Sequence, residues 1–311
     1  MTKWLLAAEA DKIQDYIFRS SRLAQVVGGS GLLSRFCREV PGIILEHRSP
    51  AFPGVVPEVI IADGGHFLIC FDDAQGAQGT GKAMAEQVGY DLAGAYYRTT
   101  DASLTVAQPQ AYEESSGFAK ASKDANGSLR LAKADRREAV VTSAQLPYTA
   151  ICESCGISLA GAYAKRFDRA DEVGMLLCPA CQRKGAERNL FVTEPEREQF
   201  LNRFHEALRS TRSWSQLPEQ LKQRLSVTQG KHFADFLPFD ASDVGQYDPR
   251  NYVAYIVADG NSMGVLFSQC QTPQQLRKLS EALNTVMWQA LAEATVQLLS
   301  LIHISEPTRP Y

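Results

Sequence analysis

The chain has 311 residues, 45% hydrophobic and 22% charged, with a formal net charge of −3. These proportions fit a globular protein long enough for two or three domains, and they exclude a disordered chain or one held to nucleic acid by a bulk basic field. The apolar stretch near the N-terminus is too short for a signal-peptide core or a membrane span, and Cys-x-x-Cys pairs fit a reducing compartment, so a cytoplasmic protein with no membrane contact is expected.

Residues 4–10 (WLLAAEA) read as a short buried strand ending at Asp11, and Ile13, Ile17 and Phe18 then recur at helical spacing. Gly28, Gly29, Ser30 and Gly31 precede an apolar stripe of Leu32, Leu33, Phe36 and Val40. This order predicts a glycine–serine loop at a helix N-terminus, where free backbone N–H groups and the helix dipole favour an anion. Residues 59–62 and 67–71 form two apolar strands, and Asp63-Gly64-Gly65-His66 between them has the chemistry of a tight hairpin. A helix over 80–97 and a strand over 102–108 complete a βαββαβ order, that of a ferredoxin-like domain. Residues 118–138 carry six Lys/Arg against three Asp/Glu and read as a solvated, mildly basic helix.

The four cysteines Cys152, Cys155, Cys178 and Cys181 are the most specific chemical signal: two Cys-x-x-Cys pairs separated by 22 residues, flanked by Gly156 and Pro179. Four thiolates at this spacing close a tetrahedron around Zn²⁺ and leave no open position, which makes a structural staple; a redox pair or incidental thiols are the alternatives. Cys37, Cys70 and Cys270 lie in apolar surroundings and read as small core residues.

Residues 193–227 read as amphipathic helix with Phe200, Phe204, Leu208 and Leu217 as core candidates. Beyond a Pro-, Asp- and Gly-rich loop at 238–250, the run Tyr255, Ile256, Val257, Ala258 climbs to Asp259, and Gly260 and Asn261 follow. A helix over 272–300 has Thr272 as N-cap, Pro273 at its first position, and a stripe of Leu276, Leu279, Leu283, Val286, Met287 and Leu291. Residues 301–311 (LIHISEPTRPY) read as a tail outside any fold and resemble a translated sequencing adapter.

Asp11 and Asp259 each end an apolar strand before a helical segment, so one structural unit occurs twice, first from residue 3 and again from about residue 252. Two such units could hold a nucleotide between them, with carboxylates gripping Mg²⁺ on its phosphates. Singly, each Asp is more often a turn or cap residue, and His66 at the hairpin is assigned no role.

ADKIQDYIF (10–18), VVGGSGLLSRF (26–36), the double Cys-x-x-Cys module and VADGNSMG (257–264) occur in an order that resembles the large palm-domain subunit of type III CRISPR effector complexes, particularly the Cmr-type branch. The resemblance implies an α+β fold of two ferredoxin-like palm domains, akin to polymerase and GGDEF-type palms. It assigns 1–145 to the first palm, 146–190 to a zinc-ribbon-like insert, 191–245 to a helical linker region and 246–300 to an incomplete second palm. It further implies a subunit that binds ATP with Mg²⁺ or Mn²⁺ and joins it into cyclic oligoadenylate in antiviral defence. Partner effector subunits and guide and target RNA would surround it. Asp259 would be a metal ligand at the catalytic centre. Gly260, Asn261, Gly28, Gly29, Ser30 and the Asp63, Gly64, Gly65 hairpin would lie near the nucleotide.

Three departures bear on activity. Asn261 stands where the family often has aspartate; no Gly-Gly-Asp-Asp follows the 272–300 helix; and no His-Asp nuclease motif precedes the first palm. The expectation is therefore that this chain does not cyclise ATP by itself. A non-catalytic scaffold and a stand-alone nucleotidyl cyclase are the alternatives.

Overall fold

The computed structural model describes residues 2–20, 22–73, 79–113, 117–134, 149–164, 174–193, 195–219, 222–223, 250 and 263–305. The chain divides into two compact units, Met1–Asn189 with Phe239–Arg277 and Leu190–Pro238 with Lys278–Tyr311.

The first unit is built on a sheet. In chain order come β1 (Thr2–Ala10), α1 (Ile13–Phe18), α2 (Leu23–Arg48), β2 (Val55–Asp63), β3 (His66–Asp73), α3 (Thr80–Thr100), β4 (Leu104–Val106), β5 (Gln110–Glu113) and α4 (Phe118–Ala134). The strands lie in the order β2-β3-β1-β4, every neighbouring pair antiparallel, and β5 extends the pairing along β1. The βαββαβ order expected from the sequence is thus present through β4, and this unit is α+β with an antiparallel sheet.

Both faces of the sheet are covered, which explains why β1 and β3 are almost continuously apolar instead of alternating. Leu6, Ala8 and Ala10 face α2 and α3, packing with Phe36, Val88, Leu92 and Tyr96. Phe36 meets Phe67 and Tyr96 edge-on, with ring centroids 6.0 and 5.2 Å away. Leu5 and Ala7 face the other way, onto α4.

Here the structure departs from the solvated reading of residues 118–138. Phe118, Ala121, Ala125 and Leu129 are buried against Leu5, Leu68 and Cys70. Their spacing of three and four residues is a core stripe, and the lysines that suggested solvation lie between those positions.

A second correction concerns the glycines. Leu23–Arg48 is one continuous helix, so Gly28, Gly29, Ser30 and Gly31 lie inside α2 and form no loop at its start. The apolar stripe begins earlier than residue 32 suggested, and the helix continues through the glycines because another helix crosses them there (below).

The cysteine module follows, with β6 (Ala162–Ala164) paired antiparallel to β7 (Met175–Leu177), and then α5 (Pro179–Thr193). After α7 (Met263–Ser268), Phe267, Cys270 and Leu276 close over the α4 side of the sheet, and Arg277 donates to Glu58 Oε1 at 2.6 Å and to the Val59 carbonyl at 3.0 Å.

In the second unit, α6 (Pro195–Arg209) and a 3₁₀ turn (Arg212–Gln216) bring Leu208 and Leu217 onto Ala292 and Val296 of α8 (Pro273–Ser305), with Phe204 partly buried beside them. Thr272 caps α8 as expected, its Oγ1 accepting the Gln275 N–H at 3.2 Å. Two expectations change. The helix runs to Ser305, into the presumed tail, and Val286, Met287 and Leu291 of the expected core stripe are exposed. No described helix is long and apolar enough to cross a membrane.

Candidate functional site

Two places in the first unit gather chemistry. In the cysteine module, Cys152 and Cys155 lie on a knuckle in which Gly156 N–H returns to the Cys152 carbonyl at 2.9 Å. Gly156 has φ +67°, a conformation that glycine adopts without a Cβ penalty. Cys178 precedes α5, and Cys181 sits in its first turn, its N–H donating to Cys178 Sγ at 3.4 Å.

The four sulfur atoms all lie within 4.8 Å of one another, and among the described residues this is the one group of His, Cys, Asp or Glu ligand atoms so gathered. Three of the four cysteines are buried, and Leu177, Ala180 and Met175 pack around them. The hydrogen bond between Cys178 and Cys181 pushes the Cys178 thiol down and the Cys181 thiol up, so this pair favours one thiolate held by its neighbour's thiol. All-sulfur donors, close convergence and a glycine-turned knuckle fit a metal ion such as zinc, bound structurally.

The second place is the end of the sheet where β1 stops. Ala10 N–H donates to the Gly65 carbonyl at 2.8 Å, so the β2–β3 hairpin sits beside the end of β1. Asp63 and Gly64 are exposed, and Asp63 Oδ1 accepts the Gly64 N–H at 2.8 Å. Gly64 and Gly65 have φ +55° and +81°; a Cβ on Gly65 would stand 2.7 Å from Ile13 Cδ1, so only glycine fits.

Asp11 is already engaged. Thr105 Oγ1 donates to both its carboxylate oxygens at 2.9 Å, Ser103 Oγ to Oδ2 at 3.1 Å, and Lys133 Nζ of α4 lies 3.7 Å from Oδ1 and 2.8 Å from Glu9 Oε2. Cys37 of α2 is buried near the hairpin, and burial pushes its thiol up to about 11, an inert core thiol as the sequence suggested.

The other residues that the sequence pointed to separate. Gly28, Gly29 and Ser30 do not join the hairpin as a loop. Gly28 and Gly29 lie under α5: a Cβ on Gly28 would stand 1.8 Å from the Lys184 carbonyl oxygen, and one on Gly29 would be 3.2 Å from Lys184 Cε. Their first role is close helix crossing, with Ser30 on the exposed side. Asp259, Gly260 and Asn261 lie outside the described residues.

The chain matches no protein-family model and no curated protein. Among solved structures, it is similar to a chain in the crystal structure of a Csm1–Csm4 cassette in complex with AMPPNP, at a TM-score of 0.32 and 24% identity. The likeness covers 43% of this chain and 19% of that one.

Sequence reasoning missed Lys184. It is 2% exposed, its Nζ donates to the Tyr16 carbonyl, and it stands 4.1 Å from the centroid of the Tyr16 ring. Its neighbours in the chain (CQRKGAER) are polar, so no hydrophobic periodicity flags a core position there.

Proposed function

We propose that this chain is a palm-domain subunit of the type III CRISPR polymerase class and binds ATP with Mg²⁺ or Mn²⁺ between two palm units. The observation that carries the reading is the end of the sheet in the first unit. An antiparallel βαββαβ sheet brings an acid-ended β1 and an Asp-Gly-Gly hairpin side by side, the arrangement the motif resemblance implies for a palm. Asp63, Gly64 and Gly65 would approach the nucleotide from this unit, with Ser30 the remaining contributor from α2. Asp259 would ligate the metal from the second palm, and Gly260 and Asn261 would line the phosphates. In that class such a site would join ATP into cyclic oligoadenylate, two metal ions stabilising the attacking oxygen and the departing pyrophosphate. Effector subunits and guide and target RNA would be its partners.

A scaffold reading is favoured by a specific observation: Asp11 is occupied by Thr105, Ser103 and Lys133 and is not left open for a cation. Isothermal titration of ATP with Mg²⁺ separates the two. The nucleotide reading expects metal-dependent binding by the wild type that Asp259→Ala abolishes and Asp63→Ala weakens. Absence of metal-dependent binding by the wild type would leave the scaffold.

A further inference from the structure

The cysteine module and α5 rest on α1, α2 and α3 through a seam of polar groups. Lys184 Nζ donates to the Tyr16 carbonyl in the last turn of α1, and Arg183 Nε to the Thr99 carbonyl of α3 at 2.7 Å. Ser158 Oγ donates to Asp101 Oδ2 at 3.1 Å. Ser154, inside the first knuckle, and Ser20 both donate to Gln25 Oε1 of α2, and Arg35 of α2 pairs with Glu187 of α5. Lys184, Glu187 and Arg188 are at most 6% exposed, so the buried side of α5 is built from charged side chains. Where that side crosses α2 it meets Gly28, Gly29 and Gly31.

The apolar contacts divide along the same line. Met175, Leu177 and Ala180 cluster with the cysteines, and the three clusters that pack the sheet contain no residue of the module or of α5. Among the described residues, then, no hydrophobic cluster crosses the seam. Its tightest packing is the Lys184 stem over Gly29, with the ammonium 4.1 Å from the centroid of the Tyr16 ring. Burying Lys, Glu and Arg costs hydration that their hydrogen bonds offset only in part, and separation restores it. Parting an apolar core brings no such return.

We infer that the cysteine module and α5 undock from α2 as one body, while the sheet and the four-cysteine centre stay intact. A polar seam parts at lower free energy than the apolar cores on either side of it, which makes the module a separate cooperative unit. Undocking bares the glycine face of α2 and withdraws Lys184 from the last turn of α1. The docked module also reaches the hairpin at 63–65 through α1, because Ile13 packs where a Gly65 side chain would be. The inference needs no nucleotide and stands apart from the function proposed above.

Lys184 is itself the probe. On the zinc-loaded full chain, sparse labelling with an amine-acylating reagent, read by mass spectrometry, compares Lys184 with Lys82, whose side chain is 47% exposed. The slowing of Lys184 relative to Lys82 gives the opening constant of the seam, and hydrogen exchange of α3 amides around Val88 and Leu92 gives that of the sheet. The seam should open at least about tenfold more readily than the sheet, and labelled molecules should retain zinc in native mass spectrometry. Arg35→Met removes the guanidinium from Glu187 and should speed Lys184 labelling about tenfold with α3 exchange unchanged. The wild-type arm decides even if the variant does not fold. The inference is overturned if the two opening constants agree, if labelled molecules have lost zinc, or if a folded Arg35→Met leaves Lys184 labelling unchanged or speeds α3 exchange equally.

Discussion

Substituting Gly28 by alanine tests whether the glycines of α2 serve a helix crossing or a phosphate loop. The new Cβ would lie 1.8 Å from the Lys184 carbonyl oxygen and 2.8 Å from its carbon, both backbone atoms that no rotamer change can remove. Reaching even 3.0 Å requires α5 to retreat by about 1.2 Å at that point. Such a shift strains the Lys184–Tyr16 contact and the Arg35–Glu187 ion pair on the same helix. Overpacking of this kind costs about 1–3 kcal/mol, and disturbing a buried charged hydrogen bond about 1–3 more. Against this stands about 1 kcal/mol gained by replacing glycine with alanine inside a helix. The net expectation is a loss of about 1–5 kcal/mol, a fall in Tm of roughly 2–20 °C for a unit of this size. Gly42→Ala is the internal control: the same substitution in the same helix, with nothing within 4 Å of the new Cβ. It should gain up to about 1 kcal/mol and raise Tm by about 2–4 °C. Thermal unfolding followed by circular dichroism reads both variants. If Gly28→Ala melts at or above the wild type, α5 does not press on α2 as described and the crossing argument fails.

Leu129→Ala should destabilise the first unit by about 2–5 kcal/mol, since Leu129 is buried on the sheet, whereas Leu131→Ala, at 73% exposure, should change stability by less than about 0.5 kcal/mol; equal effects in a urea titration would return α4 to solvent. Asp91 is held below its ordinary value of 3.8, chiefly by its hydrogen bond from Arg48, which also donates Nη2–H to Oδ1 at 2.8 Å. A depressed folded-state pKa contributes stability above 3.8 that disappears as pH falls through the folded value. Asp91→Asn should therefore lower Tm slightly at neutral pH, and the gap to wild type should close in acid; a gap that widens as pH falls contradicts the sign.

Much of this molecule is legible without coordinates. The apolar runs of β1 and β3, the Asp-Gly-Gly turn between β2 and β3, the Thr272 cap and the two Cys-x-x-Cys pairs are local signals. Each rests on chemistry within a few residues of chain, such as φ freedom at glycine, side-chain capping or thiolate spacing, and the structure contains every one. Partnership between distant segments is different, because it depends on what arrives from elsewhere in the chain. Gly28 and Gly29 have the same composition whether they cradle a phosphate or admit a helix backbone; α5, more than 150 residues later, decides for the helix. The basic look of residues 118–138 concealed a stripe that becomes core because β1 offers a second apolar face. Lys184 lies in a polar stretch, and its burial arises where α5 meets α1 and α2, a juxtaposition that folding alone creates.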